Sequence, residues 1–206
     1  FVAAPEVQAA AAAIRRRWDV RPEAALVLGT GLHRLAGWIR AEARIPYADV
    51  PHFPRSTALG HRGQLVCGWF GGKPVVALDG RCHGYEGYPL VALMLPVLTV
   101  RELGAELLIL SNAGGGLNPD LASGDVVVVS DHINLMFWKH PPRSPFDESS
   151  LPGNFAVCDR RPSAPAYDPA LIDQALDIAR REGFTAHRGV YVGVTGPNSE
   201  TRAEYR

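Results

Sequence analysis

The stretch "DGRCHGYEGYP" (residues 79–89) places several reactive side chains on a glycine-rich segment. Arg81, His83 and Tyr85 alternate along it, and Glu86 and Tyr88 follow directly. Alternate residues of an extended chain point the same way, so Arg81 and His83 are predicted to face one ligand. A guanidinium is a rigid fork of donors that suits phosphate. The residue types favour capture of a small anion, and the alternative is a surface loop with solvated charges.

Polar groups also collect where three other apolar runs end, in "GTGLHRL" (29–35), "SNAGGGLN" (111–118) and "GPNSETRAEYR" (196–206). The first puts the Thr30 hydroxyl between two glycines, where backbone N–H groups can approach an anion. The second can cradle a ligand with its backbone while Asn112 fixes the orientation, and Glu200 is the only carboxylate of "GPNSE". The alternative for 29–35 is a plain strand-to-helix turn, and the alternative for 111–118 is a glycine turn. For Glu200 the alternative is a solvated acid. Ligands of α/β sheets bind beyond the carboxyl ends of strands, so all four stretches are expected to converge on one pocket.

The strands and helices that position these groups are predicted from apolar runs and from the turn and capping residues that bound them. Strand-length apolar runs stand at 24–29, 64–70, 73–79, 106–112, 125–131 and 189–194. Gly71-Gly72 predicts a tight hairpin between the second and third. The fourth and fifth runs are predicted to be strands covered on both faces, and the first and last are predicted to be buried strands. Helices are predicted for the Ala-rich start, for 88–104 and for 167–183, the last capped by Asp168 and stopped by Gly183.

This alternation of strands and helices predicts an α/β layered sandwich with a mixed central β-sheet flanked by helices, built as one domain over residues 1–206. Residues 138–166 are rich in Pro, Ser and Arg without a period and are predicted to form a long surface loop.

Composition narrows the class of ligand and compartment. Lys+Arg and Asp+Glu both count 21, so the chain has no net positive charge that would attract nucleic acid or an anionic membrane. The three cysteines are scattered without a CxxC pair, which favours a reducing compartment and no structural zinc. The start lacks a basic region before its alanines, and no apolar run reaches the length of a membrane span. Histidine spacings match no metal pattern. We therefore expect a soluble cytoplasmic protein without a metal site.

Five collinear motifs carry a resemblance to a known family: "VLGTGLHRL", "VPHFPRSTALGHRGQLVCG", "GRCHGYEGYPL", "SNAGGGLNPDLASGDVVVVSDHINL" and "VYVGVTGPNSETRAEYR". In this order they closely resemble the trimeric purine nucleoside phosphorylases of the inosine and guanosine type, from about residue 24 to 206 and weakest over 140–166. The resemblance implies the nucleoside phosphorylase fold, with residues 1–206 lacking the C-terminal part of it. It also implies a homotrimer of the purine salvage route. Such an enzyme cleaves purine (2′-deoxy)ribonucleosides with inorganic phosphate as co-substrate and no cofactor.

The resemblance also assigns roles to residues that match the family motifs. It implies that phosphate is bound by Thr30, His61, Arg81, His83 and the backbone N–H of Ala113. It implies that Tyr85 binds the ribose, and that the purine is bound by Ala113, Gly115 and Glu200. The residues expected to act in catalysis are His83, Asn112 and Glu200.

Two aromatic positions of the family pattern are replaced, and the usual "NAAGG" reads "NAGGG" here, a small change. Ser199 stands where the family usually has Phe, and Arg161 replaces an aromatic that a neighbouring subunit usually lends. Each change removes stacking surface worth about 0.5–1.5 kcal/mol beyond burial, which bears on base affinity rather than on phosphate. Three alternatives remain open: a methylthioadenosine phosphorylase-like enzyme, a catalytically silent nucleoside- or anion-binding homologue, and a hydrolase using Cys82 as nucleophile.

Overall fold

A computed structural model describes residues 4–29, 31–55, 62–136, 165–196 and 201–203. The chain divides into two compact units, one of residues 1–113 with 140–156 and one of residues 114–139 with 157–206. The prediction of a single domain over residues 1–206 stays a prediction. No helix among the described residues is long and apolar enough to cross a membrane.

The first unit is built on a five-stranded mixed sheet. Its strands are β1 (Ala24–Leu28), β2 (Arg40–Pro46), β3 (Gln64–Phe70), β4 (Lys73–Asp79) and β5 (Leu107–Leu110), in the order β2-β3-β4-β1-β5. β1 runs parallel to β4 and β5, whereas β3 is antiparallel to β2 and β4. The carboxyl ends of β4, β1 and β5 therefore lie side by side, which is where the polar stretches begin.

The hairpin between β3 and β4 turns at Gly71 and Gly72, as the sequence predicts. Both residues have positive φ, +56° and +78°, a conformation that side chains with a Cβ disfavour. The turn fixes the register of β4 against β3, with Asp79 opposite Gln64. The last residue of β4 is thereby placed beside the first residue of β3.

The central strands β1, β3 and β4 bury residues on both faces of the sheet, because successive strand residues point in opposite directions. Ala25 and Val27 of β1 pack in a core with α1 (Pro5–Arg15) and α2 (Leu90–Glu102), while Leu26 and Leu28 join a smaller cluster on the other face. The predicted helices are confirmed, and the chain leaves α2 through Gly104 at φ +110°.

The second unit contains β6 (Val126–Asn134), α3 (Pro169–Glu182) and β7 (Ala186–Gly193). β6 and β7 run parallel in a two-stranded sheet. α3 begins as predicted, because the Asp168 carboxylate accepts hydrogen bonds from two backbone N–H groups of its first turn. It ends at Gly183, whose φ of +73° is typical of a helix stop.

Two features differ from the sequence prediction. β5 and β6 were predicted to be covered on both faces and β7 to be buried, but most of their residues are partly or largely exposed. This prediction is wrong for the described chain, since β5 is an edge strand and β6 and β7 form their own small sheet.

The edge strand β2 was not predicted, because "RAEARIP" is charged and mostly exposed. Its pairing with β3 shifts register between Ala41 and Ala43. Glu42, at this shift, accepts hydrogen bonds from the indole N–H groups of Trp18 and Trp69, each at 2.9 Å. The loop predicted for residues 138–166 lies almost wholly outside the described residues.

Candidate active site

The chain leaves β4 and places Arg81 and His83 against each other. Arg81 Nε lies 3.4 Å from His83 Nε2, so the two side chains face the same way, as their spacing predicts. Arg81 also donates through Nη1 to the backbone carbonyl of Ser111 at 3.0 Å. Both side chains are half-buried, which leaves them open to a small anion. The arrangement is a fixed cation with an imidazole beside it.

Glu86 contacts His83 at its backbone N–H and at Nδ1, the ring nitrogen that does not face Arg81. The turn Gly84–Glu86 is a short 3₁₀ helix, and one carboxylate oxygen of Glu86 accepts the His83 backbone N–H at 2.6 Å. The same oxygen lies 3.3 Å from His83 Nδ1. The Glu86 side chain is only 3% exposed. A buried carboxylate here favours the proton on Nδ1 and directs Nε2 towards Arg81.

Tyr85 and Tyr88 have different surroundings. The Tyr85 ring stacks on the His83 imidazole with 4.9 Å between centroids and 16° between planes, and it is 43% exposed. Its phenol therefore stands beside the imidazole and is partly open to solvent. The Tyr88 hydroxyl instead donates to the Arg55 carbonyl at 2.8 Å and accepts from the Arg55 N–H at 3.1 Å, so it anchors the backbone.

The ends of β1 and β5 meet at Ser111. Its hydroxyl donates to the Val27 carbonyl at 2.9 Å and accepts the Gly29 N–H at 3.2 Å. A Cβ on Gly29 would lie 2.5 Å from the Ser111 carbonyl oxygen and 2.8 Å from the Cα of Asn112. Only glycine allows this close approach of the two chains. Since Arg81 also binds the Ser111 carbonyl, one residue from each of three predicted stretches, Gly29, Arg81 and Ser111, comes together in the first unit.

Asn112 and Ala113 follow Ser111 and are exposed, as candidate ligand-binding groups should be. The Asn112 amide donates to the Ala113 carbonyl at 3.1 Å. Gly115 has no atom within 4 Å of a Cβ built on it. Thr30, His61 and Glu200 lie outside the described residues, as do Ser199 and Arg161.

Three residues that support the site were given no role from the sequence. Ser111 joins β1 to β5, Glu86 positions His83, and the buried Tyr47 donates to the Gly80 carbonyl at 2.6 Å. The signal for Glu86 was its place three residues after His83, the spacing of a capping pair. Tyr47 stands more than thirty residues before Gly80 in the chain, and no local pattern links the two.

In the second unit two histidines each contact another polar side chain. His187 Nε2 lies 3.2 Å from the Asp125 carboxylate, whose pKa is held below its ordinary value, first by the backbone N–H of Ala122 and then by His187. His132 Nδ1 lies 3.3 Å from the Tyr167 hydroxyl. Within the described ranges, no three His, Cys, Asp or Glu residues are grouped as a metal ion would require.

Comparisons with known proteins agree on one family. The model of the phosphorylase superfamily matches residues 23–206. A purine nucleoside phosphorylase of Anopheles gambiae is 40% identical over 204 residues, which is 97% of this chain and 56% of that protein. Purine nucleoside phosphorylase 1 of Geobacillus stearothermophilus is 41% identical over 97% of this chain and 70% of its own length. The chain thus spans little more than half of the mosquito relative.

Solved structures show the same similarity. A crystal structure of purine nucleoside phosphorylase in complex with ribose-1-phosphate superposes with a TM-score of 0.82 and 36% identity, covering 100% of this chain and 76% of that one. The isoform 2 enzyme of Schistosoma mansoni, in complex with cytosine and ribose-1-phosphate, gives a TM-score of 0.77 and 34% identity over 97% of this chain and 70% of its own.

Proposed function

Because the chain belongs to the phosphorylase superfamily and, within it, to the purine nucleoside phosphorylases, we propose that it catalyses phosphorolysis of purine nucleosides in purine salvage. Inorganic phosphate displaces the purine from C1′ of the (2′-deoxy)ribose. The C1′–N bond breaks, a C1′–O bond forms, and the products are free base and (deoxy)ribose 1-phosphate. The substrates are inosine and guanosine, and no cofactor takes part.

The observation that carries the proposal is the Arg81–His83 pair with the buried Glu86 behind it. Phosphate is a weak nucleophile, so the enzyme must hold it in line with C1′. Arg81 supplies charge-assisted donors to two phosphate oxygens. His83 Nε2 forms a hydrogen bond with a third phosphate oxygen. It accepts this bond from a P–OH group, or donates it when the imidazole is protonated. The backbone N–H of Ala113, the Thr30 hydroxyl and His61 complete the phosphate site in this proposal.

In this proposal the ribose and the purine bind next to the phosphate. Tyr85, stacked on His83, places its phenol for a ribose hydroxyl. The ribosyl centre becomes oxocarbenium-like as the bond to the purine stretches, and negative charge collects on the leaving base. Glu200 accepts the purine N1–H, and Ala113, Gly115 and Asn112 line the base side.

Base selectivity follows from the role of Glu200. Hypoxanthine and guanine present an N1–H to a carboxylate, whereas adenine presents a bare acceptor there. A site that must bond a substrate N–H rejects analogues without it strongly. Inosine and guanosine are therefore cleaved in preference to adenosine, and Glu200→Gln lowers the specificity constant for inosine most. A preference for adenosine in the unsubstituted protein would contradict this role of Glu200.

The assembly and compartment are part of the proposal. The protein is a homotrimer, as the resemblance implies, and it works in the cytoplasm, where reduced thiols such as that of the buried Cys67 persist. Light scattering that gave the mass of a monomer would contradict the trimer.

The test of the function is release of hypoxanthine from inosine with and without inorganic phosphate. Strict dependence on phosphate supports phosphorolysis, and cleavage by water alone contradicts it. Methylthioadenosine as the better substrate would favour the sister activity. Full activity of Cys82→Ala removes the thiol hydrolase, and absence of cleavage with phosphate bound would indicate a silent binding homologue.

A further inference from the structure

Tyr47 is buried beside the site and bonds to the backbone next to Arg81. It opens a short 3₁₀ helix, Tyr47–Asp49, directly after β2, and it is 2% exposed. Its hydroxyl donates to the Gly80 carbonyl at 2.6 Å, and its ring packs edge-on against Phe53 with centroids 5.4 Å apart. Burial, followed by the neighbouring Cys82 and Asp79, raises the pKa of the phenol. The hydroxyl therefore stays protonated and keeps donating across the working pH range.

The backbone that Tyr47 holds is a tight turn. Gly80 has a φ of +106°, and its N–H donates to the Leu78 carbonyl at 3.1 Å. The chain therefore turns sharply after β4, and the orientation of the Gly80 peptide sets the direction in which Arg81 leaves. A buried carbonyl that loses its donor is costly, so this turn depends on the phenol.

The other side of the turn is held from the start of β3. Gln64 Nε2 donates to the Asp79 carboxylate at 2.8 Å, and the Gly63 N–H donates to the Asp79 carbonyl at 3.0 Å. The Gly63 carbonyl in turn accepts the backbone N–H of Tyr47 at 2.8 Å. Tyr47 thus contacts the turn directly and also through Gly63. We call Tyr47, Gly63, Gln64, Asp79 and Gly80 the turn network.

We propose that Tyr47 is a positioning residue for phosphate: through the Gly80 carbonyl it fixes the direction of Arg81, and with it the geometry of the anion site. This inference rests on the proposed function for its kinetic readout. Tyr47 does not touch the ligand. Its loss loosens Arg81, so it weakens phosphate binding and leaves nucleoside binding nearly unchanged.

The test compares Tyr47→Phe with Thr99→Val in the purified protein. Each removes one buried hydroxyl that donates to a backbone carbonyl, and Thr99 donates to Leu95 at 2.8 Å inside α2. Tyr47→Phe is expected to raise KM for phosphate roughly three- to tenfold, the range given by one net hydrogen bond, with kcat and KM for inosine little changed. Thr99→Val is expected to lower the melting temperature without changing KM for phosphate. Equal KM values for phosphate in Tyr47→Phe and the unsubstituted protein overturn the inference.

A double-mutant cycle with Arg81→Ala tests the route of the effect. If Tyr47 acts through Arg81, Tyr47→Phe adds nothing to KM for phosphate once Arg81 is alanine, whereas an unchanged, additive effect overturns the inference. Should Tyr47→Phe not fold, Gln64→Met removes the donor to Asp79 on the other side of the turn and is expected to raise the same constant. An unchanged constant there also overturns it.

Calorimetric titration with inorganic phosphate separates this inference from the proposed function. Phosphate binding that weakens in Tyr47→Phe supports the positioning role even if no nucleoside is cleaved. Equal phosphate affinity in both proteins overturns the positioning role alone. Absence of phosphate binding in the unsubstituted protein overturns both.

Discussion

Glu86→Gln is predicted to weaken phosphate binding while the fold persists. Glutamine matches the shape of glutamate and keeps one oxygen that can accept from the His83 backbone N–H and from Nδ1. It loses the negative charge that makes both interactions charge-assisted. The Glu86 side chain is 3% exposed, so solvent screens little of the change.

The size of the effect follows from the contact between the Glu86 oxygen and His83 Nδ1, since this contact holds the ring. Hydrogen bonds to charged groups contribute about 1.5–3 kcal/mol, against about 0.5–1.5 kcal/mol for neutral ones. The difference, on the order of 1–1.5 kcal/mol, corresponds to roughly a five- to tenfold loss of phosphate affinity. The loss reaches phosphate through the freed His83 ring, so KM for phosphate should rise more than KM for inosine.

The assay is steady-state cleavage of inosine at varied phosphate, with Glu106→Gln as the matched control. Glu106 likewise has one close side-chain partner, Arg21 at 2.6 Å, but both side chains are more than two thirds exposed. Exposed pairs of this kind contribute little, so Glu106→Gln should leave both constants unchanged. An unchanged KM for phosphate in Glu86→Gln, or an equal rise for inosine, would refute the positioning of His83 by Glu86.

Three further predictions concern the rest of the first unit. Arg81→Ala should raise KM for phosphate by about tenfold or more, because a guanidinium–phosphate contact is charge-assisted, and KM for inosine should change less. Gly29→Ala should lower the melting temperature and impair phosphate binding, because its Cβ would lie 2.5 Å from a backbone carbonyl. Gly37→Ala, whose Cβ would meet nothing within 4 Å, should do neither. The pKa of Glu42 is lowered from 4.5, first by the indole N–H of Trp18 and then by that of Trp69. The contribution of Glu42 to the stability of the fold is therefore present above pH 4.5, and it is lost as the pH falls through the lowered pKa.

Each of these has an outcome that would count against it. A KM for phosphate that is unchanged in Arg81→Ala removes this residue from the site. Equal melting temperatures for Gly29→Ala and Gly37→Ala would show that the β1 and β5 ends are not as close as the geometry requires. For Glu42, the difference in melting temperature between Glu42→Gln and the unsubstituted protein should shrink as the pH falls, and a difference that is constant with pH would contradict the assignment.

The sequence predicted those elements of the fold whose signals are local. The apolar run of β1, the glycine pair of the β3–β4 hairpin and the Asp168 cap of α3 each determine structure within a few residues, and all three are confirmed. The edge strand β2 was missed, because its exposed, charged residues lack the apolar pattern of a strand. Continuous apolar runs were also taken to mean covered strands, whereas exposure depends on neighbouring elements that no local pattern reveals.

The site divides in the same way. The contact between Arg81 and His83 could be predicted, because it depends on the alternation of side chains over three residues. The support from Ser111 and Tyr47 could not, since each bond joins chain segments far apart in sequence. The family roles of Thr30, His61 and Glu200 stay predictions, and these residues lie outside the described part of the chain.

The most direct test of the central claim is the identity of the sugar product. Inosine is incubated with the protein and inorganic phosphate, and the reaction is followed by phosphorus NMR. The account predicts that a ribose 1-phosphate resonance grows as inorganic phosphate is consumed, with one hypoxanthine released for each phosphate esterified. Release of hypoxanthine with free ribose and unconsumed phosphate would contradict it, as would no release at all from a folded protein that binds phosphate.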